Sequence, residues 1–444
     1  MKGPFDLTND LSRRAALRRL GGLALAGALP ALTPGQASSA TIATNARIVV
    51  VGAGAAGLTM AAKLQNRLAG AQITVIDGRT RHLYQPGLTL VAAGLWRPEA
   101  VISQNARWMP RDVKWIEAMA AEYDPEANTV TTTTGVKVPY DFLVVAPGLS
   151  LDYEGIAGMS EDLIGRHGIA SVYAGPEAAA KTAATIQAFA ETGGTGLFGR
   201  PDTDIKCAGA PLKITFLTEE RLRMTGKRGN AQLLYNAHSN SVFAVPPVAE
   251  KVESLFSERG IAIRRSHNLI AIEPGRKRAT FATPDGTVET DYDFIHVVPP
   301  MHAPRSLADS ALAWQEGKFA RGGWLEVDPF TLRHLRYPNV FGVGDVNGVP
   351  KGKTAASVKL QAATAAANLV DVIGGKDPAK AYNGYTSCPL VTGIGSAMLV
   401  EFDYDGNLIP SFPFIEPLEQ RWVSWVIEDK LLRPVYYAML RGVA

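Results

Sequence analysis

One run of residues near the start of the chain restricts the fold more than any other feature. Residues 48–51 are all β-branched, which predicts a buried parallel strand. The pattern G-x-G-x-x-G follows at once, then apolar residues at helical spacing, then a second apolar run that ends in an acid twenty residues after the last glycine. This order of strand, glycine-rich turn, helix, strand and acid is the dinucleotide-binding fingerprint of a Rossmann-like unit.

Each position of this fingerprint has a physical role. The first glycine permits the tight turn, the second lets a pyrophosphate approach the backbone, and the third lets helix and strand pack closely. The free N–H groups at the helix start hold phosphates, and the acid accepts hydrogen bonds from a ribose. We therefore predict nucleotide contacts at Gly52, Gly54, Ala55, Ala56, Gly57 and Asp77.

Two later stretches extend the pattern to an FAD site. Residues 140–145 predict a second buried strand that ends in A-P-G, and residues 331–345 contain Y-P-N-V-F-G-V-G-D. Both resemble recurring elements of FAD-dependent pyridine nucleotide-disulfide oxidoreductases, and an NAD-only Rossmann enzyme would not account for the late G-D. An Ala-rich helix then starts near residue 353, and its N-terminus would favour negative charge on a reduced flavin. Further FAD contacts are predicted at Ala120, Ala146, Pro147, Gly148, Gly344, Asp345, Lys353 and Thr354.

The expected architecture is an α/β fold with two Rossmann-like domains. Residues 46–160 and 320–375 form the two parts of the FAD domain, and residues 165–300 form the second domain. Within the latter, residues 213–217 and 231–235 read as strands, yet the turns after both lack G-x-G-x-x-G. Since a bulky, partly acidic turn cannot bring backbone close to a pyrophosphate, we expect that the electrons do not come from NAD(P)H.

Composition excludes several classes of protein. Residues 1–40 hold five basic and two acidic side chains, and the remaining chain holds 40 of each, which argues against a nucleic-acid partner. The chain has two cysteines and seven scattered histidines, without a C-x-x-C or an H-x-x-x-H helix pattern. A structural metal is therefore not expected.

Residues 1–40 are typical of an export signal. Arg13 and Arg14 precede an apolar run of about 13 residues, which suits a signal segment and is too short to span a bilayer. The pattern resembles the twin-arginine signal, which carries folded proteins out of the cytoplasm. A disordered basic tail is the alternative interpretation. The expected location is the periplasmic side of the inner membrane, as a peripheral protein.

Residues 376–444 form the last region, and its end is amphipathic. Trp422, Trp425 and Val426 share one helical face with Leu418, whereas Arg421, Ser424 and Glu428 share another. A second short segment starts at Pro434 and carries two tyrosines between arginines. Aromatic and basic residues of this kind favour contact with a membrane surface. A helix docked on the protein core is the alternative.

The cysteines leave three readings open from their surroundings alone. Cys207 and Cys388 each lie near Pro or Gly, at turns or element starts. They could be buried apolar thiols, a disulfide in an exported protein, or reactive groups, because Lys206 and a helix start after Cys207 both favour a thiolate.

The segments K-C-A-G-A-P, G-Y-T-S-C-P-L-V-T-G, E-F-D-Y and V-F-G-V-G-D together resemble sulfide:quinone oxidoreductases, most nearly the class that includes the mitochondrial enzyme. The likeness runs from about residue 48 to residue 442. It implies FAD, a C-terminal membrane anchor, and oxidation of sulfide with electrons passed to quinone and sulfur passed to a small acceptor. It also implies that Cys207 and Cys388 are the redox pair, with Cys207 as the flavin-facing thiolate and Cys388 as the persulfide carrier. A homo-oligomer is possible.

The chain departs from this family in two respects. The third cysteine of some members is absent, and the export signal resembles instead the flavin subunit of flavocytochrome c sulfide dehydrogenase, which uses a cytochrome partner. That subunit lacks the aromatic tail, and it stands as the alternative function.

The export signal is directly testable. Replacing Arg13 and Arg14 by lysine should keep the protein in the cytoplasm, because the export pathway reads the arginine pair and not positive charge alone. Cell fractionation measures the outcome, and an unchanged periplasmic yield would remove the prediction of export.

Overall fold

The computed structural model describes residues 41–443, and the predicted export signal lies outside the described residues. The strands are β1 (Ile42–Ala43), β2 (Arg47–Val51), β3 (Leu68–Ala69), β4 (Gln72–Ile76), β5 (Arg81–Leu83), β6 (Ile102–Gln104), β7 (Lys114–Ile116), β8 (Ala120–Asp124), β9 (Thr129–Thr132), β10 (Lys137–Pro139), β11 (Phe142–Val145), β12 (Ser150–Leu151), β13 (Ile169–Ala170), β14 (Gly194–Arg200), β15 (Ala231–Ala237), β16 (Ile261–Arg264), β17 (Asn268–Glu273), β18 (Arg278–Thr283), β19 (Gly286–Asp291), β20 (Phe294–His296), β21 (Met301–His302), β22 (Val340–Gly342), β23 (Thr386–Gly393) and β24 (Ser396–Phe402).

The helices pack around and between the sheets. They are α1 (Ala55–Gln65), α2 (Leu88–Ala92), α3 (Pro176–Thr192), α4 (Ala210–Met224), α5 (Pro246–Glu258), α6 (Arg305–Ala308), α7 (Ala355–Ile373), α8 (Trp422–Val426) and α9 (Leu432–Leu440).

The first sheet is parallel and joins two distant parts of the chain. Its order is β22-β11-β2-β4-β7, with Val49 opposite Leu143 and Val50 opposite Val75. The strands β2 and β11 are almost wholly buried, because helices cover the sheet and a parallel sheet must hide both faces. Since β22 pairs with β11, residues 340–342 return to the sheet that residues 47–145 begin. The α/β fold class is confirmed.

The second sheet is also parallel, and one predicted strand is wrong. Its order is β13-β20-β14-β15-β16. Residues 231–235 lie in β15 as predicted, whereas residues 213–217 lie inside helix α4. The strand prediction for this segment is wrong because residues 210–219 are all buried. The helix therefore has no polar face in this part, and its sequence resembles that of a buried strand. Pro211 in the first turn marks the helix start instead.

The first strand of this domain is therefore β14, and the loop after it differs from a nucleotide-binding turn. The letters G-T-G-L-F-G of residues 194–199 fall inside the strand itself. Residues 201–209 then connect β14 to α4 and include Cys207. The place of a pyrophosphate turn is thus occupied by a loop that carries a cysteine.

The C-terminal region adds an antiparallel hairpin and a helical tail. Cys388 lies in the hairpin strand β23, opposite Val400 in β24. The tail is helical without a break from residue 422 to residue 440, because the π-helical segment Ile427–Leu431 joins α8 to α9. Pro434 therefore lies within the helical stretch and does not begin a separate segment, which corrects the sequence prediction.

The tail packs against the protein, and the face predicted to be polar is largely buried. Ser424 is fully buried and Glu428 is 4% exposed, so these two side chains point inward. The ring of Tyr437 stacks on Trp108 at 4.5 Å, and the Tyr436 hydroxyl lies 2.7 Å from Nε2 of His82. Among residues 41–443, no helix has the length and apolar character needed to cross a membrane.

Candidate functional site

The two cysteines, 181 residues apart in the chain, meet at the N-terminus of helix α4. Both are free thiols, with Cys207 partly exposed and Cys388 5% exposed. Their side chains are hydrogen-bonded to each other. The structure therefore brings together the two residues that the family resemblance implied to be a redox pair.

Backbone geometry holds this contact in place. Cys207 has a left-handed backbone with φ of 51°, a conformation that costs a non-glycine residue free energy and persists only when neighbours fix it. Its amide donates to the carbonyl of Lys353 at 2.9 Å, and its own carbonyl accepts from the amide of Ala210 at 2.8 Å. At Gly209, a Cβ atom would stand 2.3 Å from Sγ of Cys388. Only glycine lets the helix start approach the second sulfur so closely.

The two thiols have opposite electrostatic environments. The hydrogen bond from Cys388 is the largest cause that lowers the pKa of Cys207, to about 6, and the charge of Lys213 and the amide of Ala210 act in the same direction. The pKa of Cys388 is raised, because it shares that hydrogen bond as donor and because it is buried. When the pair holds a single proton, the thiolate therefore lies on Cys207 and the thiol on Cys388.

A buried ion pair beside the cysteines stabilises the thiolate form of Cys207. Lys213, in the first turns of α4, and Glu428, in the tail, are each 3% exposed in their side chains and lie 3.6 Å apart. Burial opposes the charge on Lys213, yet Cys207, Glu428 and Cys388 together raise its pKa above the ordinary value. The ammonium group thus stays charged beside the cysteines, and the tail supplies its counter-charge.

The predicted nucleotide cradle has the required shape. A Cβ at Gly57 would stand 1.7 Å from the carbonyl oxygen of Gly52, so this glycine permits the close packing of α1 on β2. At Gly54, the N-cap of α1, a Cβ would meet no atom within 4 Å, and no side chain caps the helix. Ala55 and Ala56 form the first turn. Open space and free N–H groups at a helix N-terminus are what a pyrophosphate needs.

Asp77 lies at the end of β4 as the fingerprint predicts. Its carboxylate is 1% exposed and accepts hydrogen bonds from the amide of Ala53 at 2.6 Å and from the amide and guanidinium of Arg79. Burial works against this charge, but those hydrogen bonds lower the pKa of Asp77 overall. Ala120 opens β8 just after Met119, whose sulfur lies 3.4 Å from the amide of Gly78. Ala120 is therefore near the same end of the cradle.

The remaining predicted positions line the other side. Ala146, Pro147 and Gly148 follow β11, and a Cβ at Gly148 would meet no atom within 4 Å. Gly344 has φ of 93° and would bring a Cβ to 3.0 Å from the side chain of Ala56, so the late G-D loop abuts the start of α1.

The loop before helix α7 connects the cradle to the cysteines. Thr354 caps α7, with its hydroxyl oxygen accepting from the amide of Ser357 at 3.2 Å. The ammonium of Lys353 donates to the carbonyls of Asp345 at 2.6 Å and Asn347 at 3.0 Å. Burial lowers the pKa of Lys353 to about 8. Since the Lys353 carbonyl accepts from Cys207, this loop joins the two halves of the site.

Three comparisons with known proteins agree with this geometry. Residues 46–182 match the family model described as pyridine nucleotide-disulphide oxidoreductase. The chain is 36% identical to the mitochondrial sulfide:quinone oxidoreductase of Mus musculus over 406 residues, which cover 90% of this chain and 88% of the mouse protein. It is 34% identical to the corresponding protein of Dictyostelium discoideum, with coverage of 89% and 86%.

The chain belongs to the sulfide:quinone oxidoreductase family. The crystal structure of the sulfide:quinone oxidoreductase from Aquifex aeolicus superimposes with a TM-score of 0.74 at 24% identity, covering 89% of this chain and 92% of that chain, and it supports the fold. The chain described here is an FAD-dependent oxidoreductase. The open, uncapped N-terminus of its helix α1 fits the pyrophosphate of FAD.

Four residues of the site were not predicted from the sequence. They are Tyr173, whose hydroxyl donates to the Cys207 carbonyl at 3.4 Å, Gly209, Lys213 and Glu428. A lysine in an apolar run and a glutamate one turn after the last tail tryptophan are the only signals that the sequence carries for the ion pair. Neither signal indicates that the two residues form a pair, because they lie 215 residues apart in the sequence.

The ion pair predicts a pH effect on Cys207. In the double variant Lys213→Met/Glu428→Gln, the positive charge is lost without leaving a buried, unpaired carboxylate. The pKa of Cys207 should rise from about 6. The pH midpoint of its alkylation by iodoacetamide should therefore move upward by about one unit, the order expected for losing a nearby opposite charge.

The matched control is Lys213→Arg, which retains the charge and should keep the wild-type midpoint. Mass spectrometry of the Cys207 peptide measures alkylation on the reduced protein. An unchanged midpoint in the double variant would show that Lys213 does not stabilise the thiolate.

Proposed function

We propose that this protein oxidises hydrogen sulfide at the Cys207–Cys388 pair and passes two electrons by way of FAD to a membrane quinone. The observation that carries the proposal is the hydrogen-bonded pair itself, in which one thiol is held as a thiolate. Two isolated core thiols would not need a left-handed backbone, a glycine beside the sulfur and a buried lysine around them.

The reaction begins from the oxidised pair, a disulfide between Cys207 and Cys388. Hydrosulfide attacks the sulfur of Cys388, so that a new S–S bond forms while the Cys207–Cys388 bond breaks. The products are a persulfide on Cys388, which keeps the proton of the hydrosulfide, and a thiolate on Cys207. Lys213 and the N-terminus of α4 favour Cys207 as the leaving group, because they lower the pKa of that thiol.

The outer sulfur of the persulfide is then transferred, and the Cys207–Cys388 disulfide re-forms. A small nucleophilic acceptor takes the outer sulfur from Cys388 and leaves a thiol there. The two cysteines must then lose two electrons and one proton to re-form the disulfide, and FAD, when bound, supplies the two-electron acceptor chemistry for this purpose. The hydrogen bond between Cys207 and Lys353 keeps the thiolate next to the cofactor cradle.

The loop between β14 and α4 also indicates which molecule supplies the electrons. The nine residues 201–209 occupy the position where a second dinucleotide fold would bind a pyrophosphate, and they carry Cys207. This supports sulfide rather than NAD(P)H as the reductant.

Contact with the membrane surface is proposed for the outer side of the tail. Phe412 and Phe414 pack with ring centroids 5.9 Å apart, and Phe414 is 63% exposed. Around them the side chains of Val423, Leu431 and Leu432 are partly exposed. An exposed apolar cluster next to an aromatic helix suits the interface of a bilayer, where a quinone is dissolved. The export of the whole protein stays a prediction.

The cysteine variants test the function. Cys207→Ser and Cys388→Ser should each keep FAD, because the glycine cradle is untouched. Sulfide-dependent quinone reduction should fall by about a thousandfold or more, because removing a catalytic nucleophile can cost about a millionfold in kcat. Only Cys207→Ser should also lose a long-wavelength charge-transfer band in the visible spectrum. Near-normal turnover in either variant would end the proposal, and reduction of a cytochrome instead of quinone would favour the flavocytochrome alternative.

The membrane contact is tested with two phenylalanines of similar exposure. Phe414→Ser should weaken sedimentation with phosphatidylcholine/phosphatidylglycerol vesicles about tenfold, because burial of a phenylalanine is worth about 1.5–3 kcal/mol. Phe330, which is 53% exposed and packs on Tyr404 outside the tail, provides the control Phe330→Ser. Equal sedimentation of both variants would show that Phe414 does not touch the bilayer.

A further inference from the structure

A small cavity lies at the carboxyl end of the second sheet, outside the cysteine site. Strands β14, β15 and β20 form its floor, and side chains of β17 and β18 cover it. Its volume is about 20 Å³, enough for a ligand only slightly larger than a water molecule. The carboxyl end of a parallel sheet is the usual place for a ligand in folds of this kind.

Buried polar atoms without partners line this cavity. Asn236 and His296 are 1% and 2% exposed, and neither Oδ1 of Asn236 nor either ring nitrogen of His296 has a hydrogen-bond partner among residues 41–443. The same is true of Nε of Arg200. Buried polar groups in native proteins are nearly always paired, so a set of four such atoms around one cavity indicates a missing ligand.

The chemistry of these atoms limits what the ligand can be. The amide nitrogen of Asn236 donates to the carbonyl of Phe198 at 3.0 Å, which fixes Oδ1 as the atom that is free. Burial lowers the pKa of His296 to about 3, so its ring is neutral and offers one donor and one acceptor. With Nε–H of Arg200, the cavity has two donors and two acceptors.

A mixed set of this kind selects against oxyanions. Sulfite or phosphate in its fully ionised form would direct lone pairs at Oδ1 of Asn236 without a proton to share. The ligand must carry hydrogen, accept hydrogen bonds and tolerate the apolar side chains of Leu197, Phe281 and Ile295.

The cavity also lies close to the thiolate. The ring of Tyr173 is 6.5 Å from the ring of His296, and its hydroxyl donates to the carbonyl of Cys207. At the other end, His267 and Leu269 are partly exposed. The cavity therefore lies between the protein surface and the cysteine loop.

We propose that this cavity is a docking site for one molecule of hydrogen sulfide, as H₂S or HS⁻, on its way to the cysteine pair. Its S–H group donates to Asn236, and its sulfur accepts from Arg200 and His296. The inference rests on the proposed function, since it names where that reaction's substrate first binds.

Kinetics of the FAD-loaded enzyme provide the first test. Asn236→Leu keeps the branching of the side chain and removes the free acceptor, together with the amide that donates to the carbonyl of Phe198. It should raise the KM for sulfide about tenfold while kcat at saturating sulfide and the KM for quinone stay within about twofold, which is the signature of lost substrate binding. Tyr235→Phe is the matched control, since it removes a buried, unpartnered hydroxyl from the neighbouring position, on the opposite face of β15. It should leave all three constants unchanged.

A structural test stands beside the kinetics in case Asn236→Leu folds poorly. Crystals of the FAD-loaded variant Cys207→Ser/Cys388→Ser are soaked in sodium hydroselenide, and anomalous scattering locates selenium without sulfur chemistry at the cysteines. A selenium peak within hydrogen-bond distance of Asn236 and His296 is expected.

The outcomes separate this inference from the proposed function. Water alone in the cavity, or an unchanged sulfide KM in a folded Asn236→Leu enzyme, overturns the docking site even if both cysteine variants are inactive. A selenium peak in the cavity together with active cysteine variants would retain the docking site and overturn the cysteine mechanism.

Discussion

The contact between the Cys207 and Cys388 sulfur atoms depends on the whole molecule, and the rest of the site is arranged around it. One sulfur comes from a loop of the second sheet and the other from the C-terminal hairpin. The hydrogen bond from the Cys207 amide to the carbonyl of Lys353 connects the pair to the FAD domain. The ion pair between Lys213 and Glu428 connects it to the tail. Four separate parts of the chain must therefore be folded and docked before the pair has the asymmetry of one thiolate and one thiol.

The two parallel sheets differ in the connection that follows a central strand. In the first domain, the turn after β2 is short and glycine-rich and leaves open space at Gly54. In the second domain, the loop after β14 is longer and directs Cys207 toward the first. Both domains have a five-stranded parallel sheet with a helix after this strand, so this connection is the main structural difference beside the site.

The parts that could be predicted from the sequence are those that local spacing encodes. Gly52, Gly54, Gly57 and Asp77 lie within 26 residues; the glycines serve through the backbone and Asp77 through its carboxylate, and few other residues can replace them. The helix after Thr354 was equally readable from its composition. Helix α4 was not, because full burial removes the polar face that separates a helix from a strand in sequence. The inward direction of Glu428 was also hidden, since an ion pair with Lys213 depends on tertiary docking that no short-range pattern records.

The buried pair of Lys213 and Glu428 has a consequence for how far the tail can move. Lifting the tail away from the core would remove the Glu428 carboxylate from the buried Lys213 ammonium, and breaking a buried ion pair in this way costs about 3–5 kcal/mol. The tail is thus part of the folded body that carries the cysteine pair, and it cannot act as a flexible tether. Any surface that the outer side of the tail contacts is therefore held in a fixed orientation to the two sulfur atoms.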